Sequence, residues 1–371
     1  MISRRHFLKM SAAGMLLLGA SSIVAKSNSI AGESFLIGDG VRGDASLFRL
    51  TPYASQPGRV RIWQFNQKEA LEIKLPFLPH SFVAHSNDPH RVITFEKWGR
   101  HLAEIDLSSM SILRVTQAER GRRFFGHGAH SGRFIYATQM DDKRGLGIVS
   151  VLDSTDHKVV NEFDTMGVFP HDCQWLPDTN TLLIVNSRRS NTQQTLGKNF
   201  SSLVWMDAKT GKCLKQLFIE TKEFGYAHLA QSAAGFMVLS GSHDLIKGGS
   251  LPLLSAIYPD ESVHVFDLLG NTQERLQGEA LSLYLDEHND EVTVTLPHSS
   301  RIQVWNYRTG NLVHQIKTDE PRGLAYSIEH HKLIASSAQT KNFMMLDNSL
   351  NGTSTALGLG GNGSHLYRLS L

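Results

Sequence analysis

Histidine recurs in this chain in a way that invites a chemical question. VFPHDCQW (168–175) places His171 just ahead of a β-like run, and PFLPHSFVAH (76–85) does the same with His80. FFGHGAHSG (124–132), FGYAHLAQS (224–232) and GNGSHLYRL (361–369) repeat the placement with His127, His228 and His365. Imidazole is the commonest side-chain ligand for zinc, copper, iron and nickel. Gathered at one place, five such groups would form a ligand set for a metal, a metal complex or an anionic ligand. Dispersed, they would be packing and capping residues. No His-x-x-x-His or Cys-x-x-Cys spacing supports a local site, so the chemistry depends on the architecture.

That architecture is a repeat. Short β-branched or aromatic runs such as RVITF (91–95), RFIYAT (133–138), TLLIVN (181–186) and EVTVTL (291–296) are each followed by a polar loop. A second run then ends in an aspartate or a polar residue, as in HLAEIDL (101–107), SSLVWMDA (201–208) and RIQVWNY (301–307). Turn residues and a last short strand complete a unit of about 45 residues, the period of a four-stranded β-propeller blade. Six blades follow in order, near 78–117, 122–166, 168–222, 224–278, 279–318 and 321–357. The ends supply a seventh. ESFLIGD (33–39), GRVRIWQFN (58–66) and EALEIKL (69–75) give its second, third and fourth strands, and SHLYRLSL (364–371) its first. The fold class is all-β, a seven-bladed β-propeller closed by the C-terminal strand, preferred over six or eight blades.

In such a blade the first strand lines the central channel, and it starts on the face that carries the loops between second and third strands. His80, His127, His171, His228 and His365 therefore belong at one channel mouth, with Glu279 and Arg322 at the equivalent points of the other two blades. Loops on the same face contribute Glu96, Arg188, His243, Asp244 and His298 as rim residues, the longest loop being read over 241–261. His85 and His130 fall at the opposite end of their strands, and His330 and His331 at a turn there. Cys173 and Cys213 lie on strands too far apart for a disulfide.

The N-terminus reads as an export leader. SRRHFLK (3–9) is followed by the apolar stretch MSAAGMLLLGASSIVA (10–25), too short for a stable membrane anchor. The Arg4-Arg5 pair with Phe7, Leu8 and Lys9 resembles a twin-arginine signal. Cleavage after Ala25 or Ala31 leaves one propeller domain over 32–371, exported to the periplasm. Removal of residues 1–25 takes three of the 37 basic residues and none of the 35 acidic ones. The mature chain is near neutral, which argues against nucleic acid or an anionic membrane as partner. No Gly-x-Ser-x-Gly elbow, phosphate-binding glycine loop or haem-attachment motif is present, so an enzyme is less expected than a binding protein.

The leader, the repeats carrying GHGAHS, VFPHDCQW and GNGSH, and the terminal closure together resemble a bacterial family of exported propellers of unknown function. That family is related to tryptophan-aspartate-repeat and quinoprotein amine-dehydrogenase-like propellers. The resemblance implies periplasmic iron acquisition or handling beside imelysin-type proteins; for the histidine set itself, iron or copper is the expected metal. It assigns no reaction and no functional residues. Two other functions stay open: a scaffold that docks a partner through its loops, and a quinoprotein-like oxidoreductase.

Overall fold

The computed structural model describes residues 32–40, 55–65, 67, 69–188, 199–221, 225–245, 249–268, 276–346 and 354–370. The leader read over 1–31 lies outside them. Among the described residues, seven four-stranded antiparallel sheets succeed one another along the chain. Blade 1 is sewn from both ends: Leu366–Ser370 is its inner strand, followed outward by Glu33–Gly40, Gly58–Trp63 and Leu71–Leu75. Blades 2 to 7 begin with the inner strands Pro79–His85, Arg122–Ser131, Val168–Leu176, Tyr226–Gln231, Leu283–Asp286 and Pro321–Ser327. No helix among the described residues is long and apolar enough to cross a membrane.

The β-branched runs form strands because both faces of each sheet are covered by neighbouring blades. Apolar clusters fill the wedges between sheets. Leu36, Val60 and Ile73 of blade 1 pack with Phe82, Val92 and Ile105 of blade 2, and Val149 and Val151 of blade 3 pack with Leu182, Ile184 and Val204 of blade 4. The polar residues that follow the third strands close tight turns. Asp106, Asp153, Asp207, Asp260 and Asn306 each accept a backbone N–H two or three residues on, at 2.7–3.1 Å. Each of these turns also holds one residue in left-handed backbone (Met110, His157, Gly211, Glu261 and Gly310), and the side-chain bond explains the recurrent Asp or Asn at this point.

One loop is shorter than the sequence suggests. Residues 237–245 and 249–257 pair along their length, from Met237 opposite Ile257 to Leu245 opposite Gly249. The stretch 241–261 is therefore mostly an extended hairpin, its β-branched and leucine content outweighing its glycines. Cys173 is buried and Cys213 partly exposed, and both are free.

Closure depends on five residue pairs, from Glu33 opposite Ser370 to Ile37 opposite Leu366. Glu33 reinforces the seam by accepting the backbone N–H of Ile328 (2.8 Å) and pairing with Arg368 (3.3 Å). Deleting residues 366–371 would expose the edge of Glu33–Gly40 and invite intermolecular pairing. The truncated protein is expected to elute from size-exclusion chromatography as aggregates; a monomer with unchanged thermal midpoint would contradict this.

Candidate functional site

The five inner-strand histidines converge. His127 is the hub, its ring centroid 5.0 Å from His80, 5.2 Å from His171, 5.3 Å from His228 and 4.8 Å from His365. His80–His365, His171–His228 and His228–His365 centroids stand 4.8, 4.6 and 4.7 Å apart. Four are buried, and His365 keeps part of its surface exposed. Two triads, His80/His127/His365 and His127/His171/His228, each offer three ligand atoms lying within 4.8 Å of one another. Two nitrogens held ~2.1 Å from one ion are at most ~4.2 Å apart, so small inward rotations would suffice to close a triad on a metal.

Bulges aim these side chains. In blade 2, Pro79 faces Glu96 but Ser81 faces Phe95, leaving His80 as the extra residue. In blade 4, Pro170 faces Asn186 and Asp172 faces Val185, leaving His171. The register also slips across His127, just before His228, and across Arg322. A bulge releases a residue from the ladder and turns it out of the alternating pattern. Hydroxyl groups hold nearby carbonyls in place of ladder bonds. Thr94 donates to the Ser81 carbonyl (2.8 Å), Thr138 to that of His127 (2.8 Å) and Thr295 to that of Arg322 (2.7 Å).

Burial pushes all five imidazoles below their usual range, His228 to about 3, so they stand neutral at physiological pH. The positive charge of Lys97 works in the same direction on every one of them. Neutral imidazole is the form that binds a metal. The Nε2 atoms of His80, His127, His228 and His365 are buried without a hydrogen-bond partner. Leaving four such atoms unpaired costs roughly 1–3 kcal/mol each. The fifth, Nε2 of His171, accepts a hydrogen bond from the Lys97 ammonium at 3.0 Å.

Glu279 and Arg322 complete the circle from blades 6 and 7. Arg322 is buried, with Nη1 3.1 Å from Glu320 and Nη2 3.9 Å from Glu279. Burial raises the Glu279 carboxyl, but Lys97, Arg322 and the nearby His228 and His298 outweigh it and hold the group below the usual range. Asp172 projects beside the ring, its Oδ1 4.0 Å from Nδ1 of His127. Burial pushes its carboxyl up to about 6, even though it accepts the backbone N–H of Leu229 and of Cys173. At that separation it lies close to His127 without a hydrogen bond to it.

The rim residues divide. Glu96 does not reach the mouth: its carboxylate folds back onto the N–H (3.0 Å) and Nδ1 (2.8 Å) of His101, closing the turn of its own loop. Arg188 lies over the ring of Phe169 at 5.9 Å, against an aromatic wall of Trp98, Phe125 and Phe169 that abuts His171. Trp98 and Phe169 both adopt left-handed backbone (φ 65° and 58°), a strain typical of functional loops. His298 is exposed and packs on Gly278. His243 pairs through its backbone with Leu251 and Asp244 with Ser250; their side chains lie outside the described residues. Lys97 and Asp172 carried no sequence signal beyond adjacency to Glu96 and His171.

At the opposite face the rings of His85 and His130 stand 4.2 Å apart, tilted by 38°, and His130 is buried. Both His330 and His331 are exposed.

Residues 73–366 match the family described as "Protein of unknown function (DUF1513)", and the chain belongs to it. No curated protein matches this chain. Among solved structures it is similar to a protein from Lactobacillus plantarum, at TM-score 0.63 and 14% identity, covering 91% of this chain and 100% of that one. A putative 6-phosphogluconolactonase from Bacteroides fragilis gives TM-score 0.61 at 13% identity, covering 93% and 99%. Hydrazine synthase from Kuenenia stuttgartiensis gives 0.60 at 12%, covering 79% and 90%. At such identities these likenesses establish the propeller fold and nothing of activity.

Two predictions test the local physics. Gly126 has φ 101°, and a Cβ there would stand 2.5 Å from the His80 ring, whereas Gly145 (φ 67°) faces open space. Gly126→Ala should cost several kcal/mol and Gly145→Ala about 1 kcal/mol by urea unfolding. Equal costs would show that the His80 contact imposes no constraint.

The second prediction concerns His130, whose Nδ1 accepts the N–H of Ser86 at 2.9 Å. Burial holds its pKa at about 4; His85 and His157 lower it further and Glu104 opposes them. Its unfolded value is ~6.5, so its stabilising contribution is complete above that pH and declines as pH falls towards 4. The full loss is on the order of 3 kcal/mol. Unfolding free energy measured at pH 7.5 and 4.5 should drop less in His130→Gln than in the parent; parallel drops would rule His130 out as a source.

Proposed function

We propose that this propeller binds a transition-metal ion, or a small complex of one, at the channel mouth. The observation that carries the proposal is the convergence of five neutral imidazoles, four of them with a buried, unpartnered Nε2. Packing alone would not favour this arrangement, because each unpaired polar atom is a penalty that a metal would remove. The ring supplies nitrogen donors only, with Asp172 behind His127 and Lys97 and Glu279 at its edge. Imidazole sets suit copper, zinc, nickel and iron and are poor for calcium or magnesium. The hydroxyl–imidazole pairs of the described residues, Ser55–His101, Ser86–His130 and Thr116–His157, involve none of the five ring histidines, so binding rather than turnover is the role the ring favours.

A periplasmic setting, with iron or copper as cargo and an imelysin-like protein as partner, is the finer form of the proposal. It draws on the leader SRRHFLK and the family resemblance. The mouth, on the face that carries the second-to-third-strand loops, is where such a partner would meet the ion.

The test is metal content and titration with copper and iron on protein purified without a histidine tag. Near-stoichiometric metal is expected in the parent, with at least a hundredfold weaker binding in the His80→Ala/His171→Ala double variant. Absence of metal from both proteins, with no binding on titration, would leave a scaffold whose histidines are packing residues.

A further inference from the structure

Charge at the mouth is unbalanced for the ion the ring would hold. The five imidazoles are neutral, and the two remaining inner positions supply one carboxylate, Glu279, and one guanidinium, Arg322. Lys97 adds an ammonium at the edge of the ring, 3.0 Å from Nε2 of His171. Glu320 is engaged with Nη1 of Arg322 (3.1 Å), Asp172 lies behind His127, and His298 is exposed at the rim. Lys97 and Arg322 are thus already matched by Glu279 and Glu320, and a divalent ion placed among neutral imidazoles would add two positive charges that nothing at the mouth balances. Charges of one sign crowded in a partly dry site repel strongly, and an anion is the simplest remedy.

A second observation points to the same ligand independently of the metal. Arg322 is 6% exposed, its Nη2 reaches Ser364 only at 3.5 Å, and its Nε–H is buried without any acceptor. A buried guanidinium N–H left unpaired costs more than a neutral donor. Guanidinium favours oxyanions through paired N–H bonds. Arg322 belongs to the blade next to His365, on the side of the circle where imidazoles are lacking. Lys97 reaches the centre from blade 2 and acts electrostatically on Glu279 as well as on all five histidines. An anion seated at the open side of the ring would accept from Arg322 and from the Lys97 ammonium, which metal ligation frees from His171.

Building on the metal-binding proposal, we infer that the site takes its metal together with a small oxyanion, the imidazoles ligating the ion and Arg322 and Lys97 holding the anion. The anion would serve as the remaining ligand and neutralise the centre. Lys97 then has two positions: on His171 when the ring is metal-free and on the anion when it is filled.

Cobalt(II) is a suitable probe, because its visible spectrum reports both occupancy and ligand change. The intact mature protein would be titrated with Co²⁺ in a perchlorate buffer free of other anions, and again with added sulfate or bicarbonate. The expected result is at least tenfold tighter binding with one of the oxyanions, accompanied by a shifted visible spectrum. Arg322→Gln and Lys97→Gln, each checked for native thermal unfolding, should bring the affinities with and without oxyanion together. Tight Co²⁺ binding that no anion alters, or an anion effect that survives in both variants, would overturn the inference while leaving the metal site standing. No Co²⁺ binding in any buffer would overturn the metal site as well.

Discussion

The pairing of residues 366–370 with 33–37 is the interaction on which the site depends. It closes the ring of blades, and in doing so fixes the loop 360–365, which places His365 4.8 Å from both His80 and His127. These residues are separated by most of the chain, so no local propensity could bring them together. Closure also removes the free edges that a seven-sheet array would expose. Backbone economy and site assembly are therefore one event. Glu33, which clamps the seam through Ile328 and Arg368, supports the mouth from the opposite end of the same blade.

Within the closed ring, a second constraint sets the chemistry. Inner strands crowd the axis, and regular alternation would send every other side chain into a neighbouring blade. The bulges at His80, His171 and across His127 and Arg322 break that alternation at one height. They need substitutes for the lost ladder bonds, and Thr94, Thr138 and Thr295 supply them. They also need room, which explains Gly126 beside the His80 ring. Fold stability is traded locally for a fixed direction of five imidazoles, a pattern common at sites that bind ligands.

Much of this was legible in the sequence because a repeat supplies its own alignment. Once the 45-residue period is seen, the equivalent positions of blades 1 to 5 carry histidine and those of blades 6 and 7 carry Glu279 and Arg322. Chain order then implies a common face. Conformation inside the loops was not legible. FEKWGRH offers Glu96 and Lys97 side by side, and the sequence favours the carboxylate as the ligand-like group. The left-handed backbone at Trp98 helps turn the loop so that Glu96 meets His101 while Lys97 meets His171. A single positive φ thus decides which neighbour faces the channel. Asp172 was equally hidden, since its position follows from the bulge beside it.

The charge pattern bears on how such a site would behave. A permanent structural metal is usually enclosed by anionic or fully satisfied ligands, because deprotonated thiolates or carboxylates repay the cost of dehydrating the ion. Here the proposed ligands are neutral, and a lysine already occupies one of them. In the proposed reading an incoming ion displaces that ammonium from His171, and its departure lets the contact form again. The apo state is thereby stabilised relative to five bare imidazoles, which lowers affinity and narrows the gap between filled and empty forms. In the proposed reading this favours a site that loads and releases its ion over one that keeps it for the life of the fold. In that same reading an ion of higher charge would meet greater repulsion from Lys97 and Arg322, so the proposed cargo is copper or the ferrous form of iron in preference to a trivalent ion.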